Sequence, residues 1–131
     1  MTIGRFVAAA LLLAATSPLA SSAYAQDTPA IDGQTFQGTV TGYASGSDGG
    51  GVGSTTATGT ATHWGTVAAD WRLYPPGTRL QIEGFPNDVF TVEDSGSSVR
   101  GNVIDIWFPD LATAVAFGTK SLRVTVLGQS P

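Results

Sequence analysis

From Phe36 onward, apolar and polar residues fall into short runs of period two, the spacing that turns one face of a strand inward and the other outward. Such runs predict strands over Phe36–Ala44, Thr66–Asp70, Arg79–Glu83, Val89–Asp94, Val103–Phe108 and Leu122–Leu127. Turn chemistry separates them: "PPGT" at Pro75–Thr78 and a second turn near Pro86–Asp88. A single helix of about two turns is predicted after Asp110, whose carboxylate suits an N-cap. Leu111, Ala114, Val115 and Gly118 follow at helical spacing, with Gly118 placed to end it. Six short strands with one small helix predict an all-β fold, a compact six-stranded barrel, over a parallel α/β sheet. No internal repeat is present.

Two stretches depart from this pattern. Ser45–Gly65, "SGSDGGGVGSTTATGTATHWG", holds too many glycines for a regular element and predicts a long loop. At the other end, Arg5 precedes an apolar run from Phe6 to Ala15, then small residues and "AYAQD", an Ala-x-Ala cleavage pattern after Ala25. This predicts a removable signal peptide over 1–25, too short to span a membrane. Residues 26–35 are polar and aperiodic, which predicts a disordered lead-in, and the barrel domain is expected over 36–131.

Export changes how the composition is read. Removing 25 of 131 residues leaves 106, one domain's worth, with a modest core. That domain has no cysteine, so neither a disulfide nor a lipid-anchor thiol contributes. Five basic residues (Arg72, Arg79, Arg100, Lys120, Arg123) face ten acidic ones, a balance that excludes the basic footprint nucleic acid requires and disfavours an acidic membrane surface.

The candidate chemistry lies in carboxylates set at strand ends or within strands: Asp70, Asp94 and Asp105. Asp105 is the least expected, since Asp is a poor strand former and its run, "VIDIWF", is apolar on both faces, which predicts a strand covered on both sides. If the three strands are neighbours, the carboxyls converge. Like charges and partial burial then keep one protonated at neutral pH, as a general acid for glycosidic bonds must be. Structural roles fit the same residues: Asp94 as an Asx-turn residue, Asp70 paired with Arg72, and Asp105 bonded to loop amides. Three aspartates could also hold Ca²⁺, but their spacing fits no calcium loop, and no His/Cys cluster suits zinc. His63 is the sole histidine and no serine stands in a nucleophile-elbow context, so a Ser-His-Asp site is not indicated. "GSDGGGVGS" lacks the Lys-Ser/Thr ending of a phosphate cradle.

The ordered motifs "VAAD", "PPGT", "EDSG", "RGNVID" and "AVAFG" resemble those of the three-aspartate (3D) domain family. That family is a double-psi β-barrel similar to the catalytic barrel of membrane-bound lytic transglycosylase A and to the stationary-phase survival proteins of Gram-positive bacteria. The likeness covers about Thr39 to Leu127. It implies lytic cleavage of the bond between N-acetylmuramic acid and N-acetylglucosamine in peptidoglycan, leaving a 1,6-anhydro end, with no metal or cofactor. It assigns Asp105 as acid and base, with Asp94 and Asp70 orienting it and setting its protonation state. Substrate contacts are expected from Thr58 and Gly59 in the glycine-rich loop, from Gly96, Arg100 and Asn102 around "SGSSVRGN", and from Trp107. Arg100 stands where the family tends toward lysine, a planar fork in place of a point charge.

The expected partner is the glycan strand of peptidoglycan and the expected place the periplasm or the cell wall, with the protein acting as a monomer. A non-catalytic glycan-binding module on the same barrel is the alternative, using Trp64, Trp71, Tyr74 and Trp107 as stacking surfaces.

Overall fold

The computed structural model describes residues 29–45 and 54–130. The expected signal peptide and its cleavage point, residues 26–28 of the expected lead-in, and the most glycine-rich part of the long loop lie outside the described residues. All six predicted strands form: β1 (Thr35–Ala44), β2 (Thr66–Ala68), β3 (Thr78–Ile82), β4 (Phe90–Asp94), β5 (Val103–Phe108) and β6 (Lys120–Gln129). Among the described residues there is one helix, α1, which spans Leu111–Phe117. The strands close into a barrel in the order β1-β5-β2-β4-β3-β6, the six-stranded barrel expected. The pairs β1/β5 and β2/β4 are parallel and the other four antiparallel. Parallel partners cannot be joined by a tight hairpin, so the chain crosses over the barrel between them.

Alternation fills the interior. Val40, Val67, Leu80, Phe90, Ile104 and Ile106 are all fully buried. On β5, Ile104, Ile106 and Phe108 point inward as their spacing predicts, whereas Val103 and Asp105 stay partly exposed on the outer face and only Trp107 there is buried. That outer face is therefore partly open, where full cover on both sides was expected.

Three further expectations need correction. The first concerns the lead-in. Over residues 29–34 it is not disordered but lies against the barrel: Ala30 N–H donates to Leu73 O at 2.7 Å and Gly33 N–H to Val126 O at 2.8 Å, while Gln34 O accepts from Val126 N–H at 2.8 Å. The backbone amides of polar residues found ladder partners, which side-chain composition does not report. The second is strand length. β2 stops at Ala68, because Asp70 O accepts the N–H groups of Leu73 and Tyr74 and so turns the chain out of the sheet.

The third is the buried face of α1. Asp110 caps the helix, its carboxylate accepting from Thr113 N–H at 2.8 Å, and Gly118 ends it at φ 71°. However, Leu111 and Val115 are exposed, and contact runs through buried Ala114 and through Phe117, whose ring lies 5.3 Å from that of Phe108.

Glycine 42 makes this packing fit. A Cβ built there would stand 2.7 Å from Phe108 Cε2 and 3.2 Å from Ala114 O. Gly42→Ala must displace Phe108 or lift the helix, and a loss of about 1–3 kcal/mol is expected, the usual cost of overpacking. A urea denaturation midpoint equal to that of the wild type would show that the helix yields without cost.

Candidate active site

Residues directly opposite on neighbouring strands share a face, so the register places four side chains in a row across the outside of the barrel. Thr41 on β1 faces Asp105 on β5; Asp105 faces Ala68 on β2; Ala68 faces Asp94 on β4. A register shift between Val67 and Ala68 brings Asp94 rather than Glu93 opposite Ala68. Bulges of this kind re-aim a side chain beside functional sites. Strands are about 4.8 Å apart, so the small Ala68 separates two carboxylate-bearing strands by about two such steps.

The two carboxylates meet different surroundings. Asp105 accepts one hydrogen bond, from the Thr41 hydroxyl to Oδ1 at 2.9 Å. Burial pushes the Asp105 carboxyl above the ordinary carboxylate range; the Thr41 bond pulls the other way and the charge of Asp94 adds to the rise. Asp94 accepts three hydrogen bonds: Tyr43 Oη to Oδ2 at 2.9 Å, and the N–H groups of Ala57 and Ser95 to Oδ1 at 2.9 and 3.0 Å. Tyr43, two residues beyond Thr41 on the same face of β1, thus reaches from β1 to the carboxylate on β4. Burial first, then the charges of Asp94, Asp105 and Glu93, hold its phenol well above the ordinary range, so it serves as a donor.

Asp70 does not join this pair. It is 1% exposed and takes four hydrogen bonds: from the backbone N–H, Nε and Nη2 of Arg72 at 3.1, 3.1 and 2.8 Å, and from Gly101 N–H at 2.9 Å. The Arg72 guanidinium holds its carboxyl well below the usual range; the two backbone donors add to this and burial opposes it. The expectation that all three carboxyls converge is therefore corrected: two come together, and the third ties the end of β2 to the turn that leads into β5. A bidentate guanidinium two residues away satisfies Asp70 more fully than another carboxylate could.

The expected substrate-contact residues divide between two places. Thr58 and Gly59 are exposed beside the pair, next to the Ala57 amide on Asp94, and Thr58 N–H donates to Glu93 O at 3.2 Å. Gly96 follows Asp94 by two residues. Arg100 is exposed and Asn102 accepts from Tyr74 Oη at 3.1 Å, both at the start of β5 near Asp70. Trp107 lies on the outer face of β5 opposite Tyr43, but its ring is buried and its N–H donates to Ser45 Oγ at 2.7 Å. Trp71 donates to Asp94 O at 2.9 Å and Tyr74 stacks on Phe36, so of the four proposed stacking aromatics Trp64 alone is exposed.

The loop that carries Ala57 is fastened through Glu93. This carboxylate accepts from Thr60 and Thr66 hydroxyls at 2.8 and 3.0 Å and lies 2.8 Å from His63 Nε2. His63 thus anchors a loop, as a lone loop histidine does. Sequence reasoning missed Thr41, Tyr43 and the Ala57 amide. The alternation of "TVTGYA" did put Thr41 and Tyr43 on one face, but which strand lies beside β1 is a non-local fact.

Chemically, the site offers a half-buried carboxyl whose burial favours its protonated form and, beside it, a carboxylate held by three donors. Carboxyl groups in such contrasting surroundings divide acid and base roles.

Several known proteins are similar to this chain. Cell wall-binding protein YocH of Bacillus subtilis is 32% identical over 93 residues, 68% of this chain and 32% of YocH. YabE of the same bacterium, named for cell wall shaping, is 31% identical over 61 residues, 47% of this chain and 14% of YabE. The chain thus spans a third or less of these curated relatives. The structure of E. coli MltA with bound chitohexaose superposes with a TM-score of 0.50 at 22% identity, over 61% of this chain and 29% of MltA, a likeness of fold. The family model described as the 3D domain matches residues 65–128, which include Asp70, Asp94 and Asp105. With the barrel and its aspartates in that order, this stretch of the chain carries the match to the 3D domain family.

Proposed function

We propose that this domain is a peptidoglycan lytic transglycosylase acting at the cell wall, with Asp105 as acid and base. The observation that carries this reading is the contrast across Ala68 between a half-buried Asp105 with one hydroxyl donor and an Asp94 held by three donors. Protonated Asp105 gives its proton to the glycosidic oxygen as the bond from the muramoyl anomeric carbon breaks. Asp94, as the neighbouring anion, stabilises the positive charge that develops on the sugar. Asp105, now a carboxylate, takes the proton of the muramoyl 6-hydroxyl as that oxygen bonds to the anomeric carbon, which closes the 1,6-anhydro ring and restores the acid. Protons balance over the cycle and no water is consumed. Thr58 and Gly59, exposed beside the pair, and the more distant Arg100 and Asn102 are the proposed glycan contacts.

The test is mass spectrometry of soluble fragments released from purified peptidoglycan by the purified protein. Anhydro-terminated fragments are expected; fragments with reducing ends would make the domain a hydrolase, and no fragments would remove the enzyme reading. The name of YocH favours a second reading, glycan binding without turnover. Retention on insoluble peptidoglycan with no fragment release would establish it.

A further inference from the structure

We infer that two hydroxyl donors on one face of β1 place the proton of the pair: Tyr43 keeps it off Asp94, and Thr41 fixes which oxygen of Asp105 presents it. The inference rests on the reading of Asp105 as the acid. A hydroxyl that donates to a carboxyl oxygen requires a lone pair there, so the Thr41 bond marks Asp105 Oδ1 as the unprotonated oxygen and assigns the proton to Oδ2. Tyr43 donates to Asp94 Oδ2, and the Ala57 and Ser95 amides donate to Oδ1, so every oxygen of Asp94 is engaged as an acceptor. The proton of the site is thereby assigned to Asp105, on the oxygen that Thr41 leaves free.

The other charged groups nearby are already committed. Glu93 on β4 is taken by His63, Thr60 and Thr66, and Asp70 after β2 is taken by Arg72 and Gly101. Thr41 and Tyr43 are positioning residues: they act through the carboxyls and need not touch the sugar. The spacing i, i+2 on a single strand is what lets one element serve both carboxyls, because it keeps both hydroxyls on the outer face.

Two measurements test the assignment. In the first, the Asp105 carboxyl carbon is titrated by NMR in wild type, Thr41→Val and Thr41→Ser. Valine keeps the shape and removes the donor that favours the ionised form, so the midpoint should rise by about one pH unit, and serine should restore it. An unchanged midpoint in Thr41→Val overturns the role of Thr41.

In the second, the pH dependence of fragment release is compared. Thr41→Val should move the alkaline limb to higher pH, and Tyr43→Phe, which frees Asp94 Oδ2 to compete with Asp105 for the proton, should narrow the profile. Lower rates with both limbs in place would mean that the hydroxyls only support the fold, and would overturn the inference. A wild type that releases no anhydro ends overturns the lytic reading alone, and the Asp105 titration then decides the hydroxyl assignment by itself.

Discussion

Asp105→Asn is expected to reduce release of anhydro-terminated fragments by about 10²–10⁴-fold, the usual contribution of a general acid, while leaving the protein at least as stable as wild type. The two halves of this result have one cause. Asparagine cannot give up a proton, yet its Oδ1 still accepts from Thr41, so the cross-strand bond survives. What disappears is a carboxyl whose ionised form is disfavoured by burial and by Asp94.

A carboxyl with a raised folded-state pKa binds more protons in the folded than in the unfolded state between the unfolded value, about 3.9, and the folded one. Wild-type stability therefore falls as pH rises through that window, and Asp105→Asn should lack this fall. Thermal melts of both proteins across that range, beside the fragment assay, separate a catalytic carboxyl from a structural one. A large drop in melting temperature for Asp105→Asn would make Asp105 a structural hub and sink the catalytic assignment.

Asp70→Ala should do the opposite: it should damage the fold first. The substitution leaves Gly101 N–H without its acceptor and deprives Arg72 of its bidentate partner at a site only 1% exposed. Breaking a buried, charge-assisted set from the carboxylate side costs roughly 2–4 kcal/mol, even with the outer part of Arg72 open to solvent. For a domain of this size, that lowers the melting temperature by on the order of 10 °C or more.

Its pH dependence also has a definite sign. The folded pKa of Asp70 is depressed, so its stabilisation is fully present above the unfolded carboxyl value of about 3.9 and is lost as pH falls below it toward the folded value. Asp70→Ala should flatten the acid limb of the stability curve below about pH 4, where the wild type still gains from the pair. Should Asp70→Ala melt like the wild type and lose only fragment release, Asp70 would belong to the catalytic set after all.

These two aspartates look alike in the sequence: each stands at or within a short apolar run, and the family pattern names both. Their surroundings separate them. Asp70 has Arg72 two residues away, and that local pairing was legible as one of its plain alternatives. Asp105 has no local partner; its hydrogen bond comes from Thr41, 64 residues earlier, and its repulsion from Asp94 across an intervening strand. The aromatics show the same division. Trp64, Trp71, Tyr74 and Trp107 were equal candidates for stacking, and burial then closed Tyr74 and Trp107 and engaged the N–H of Trp71.

The sequence by itself determined the six strands, the helix with its Asp110 cap, and the faces on which side chains lie, because periodicity and capping are properties of residues a few positions apart. The tertiary structure alone decided which strands are neighbours. The order β1-β5-β2-β4 and the shift at Ala68 set Thr41, Asp105, Ala68 and Asp94 in one row and left Asp70 to Arg72. A carboxyl's proton affinity depends on burial and on charges and donors within a few ångströms, and such neighbours are set by barrel closure rather than by the residues on either side in the chain.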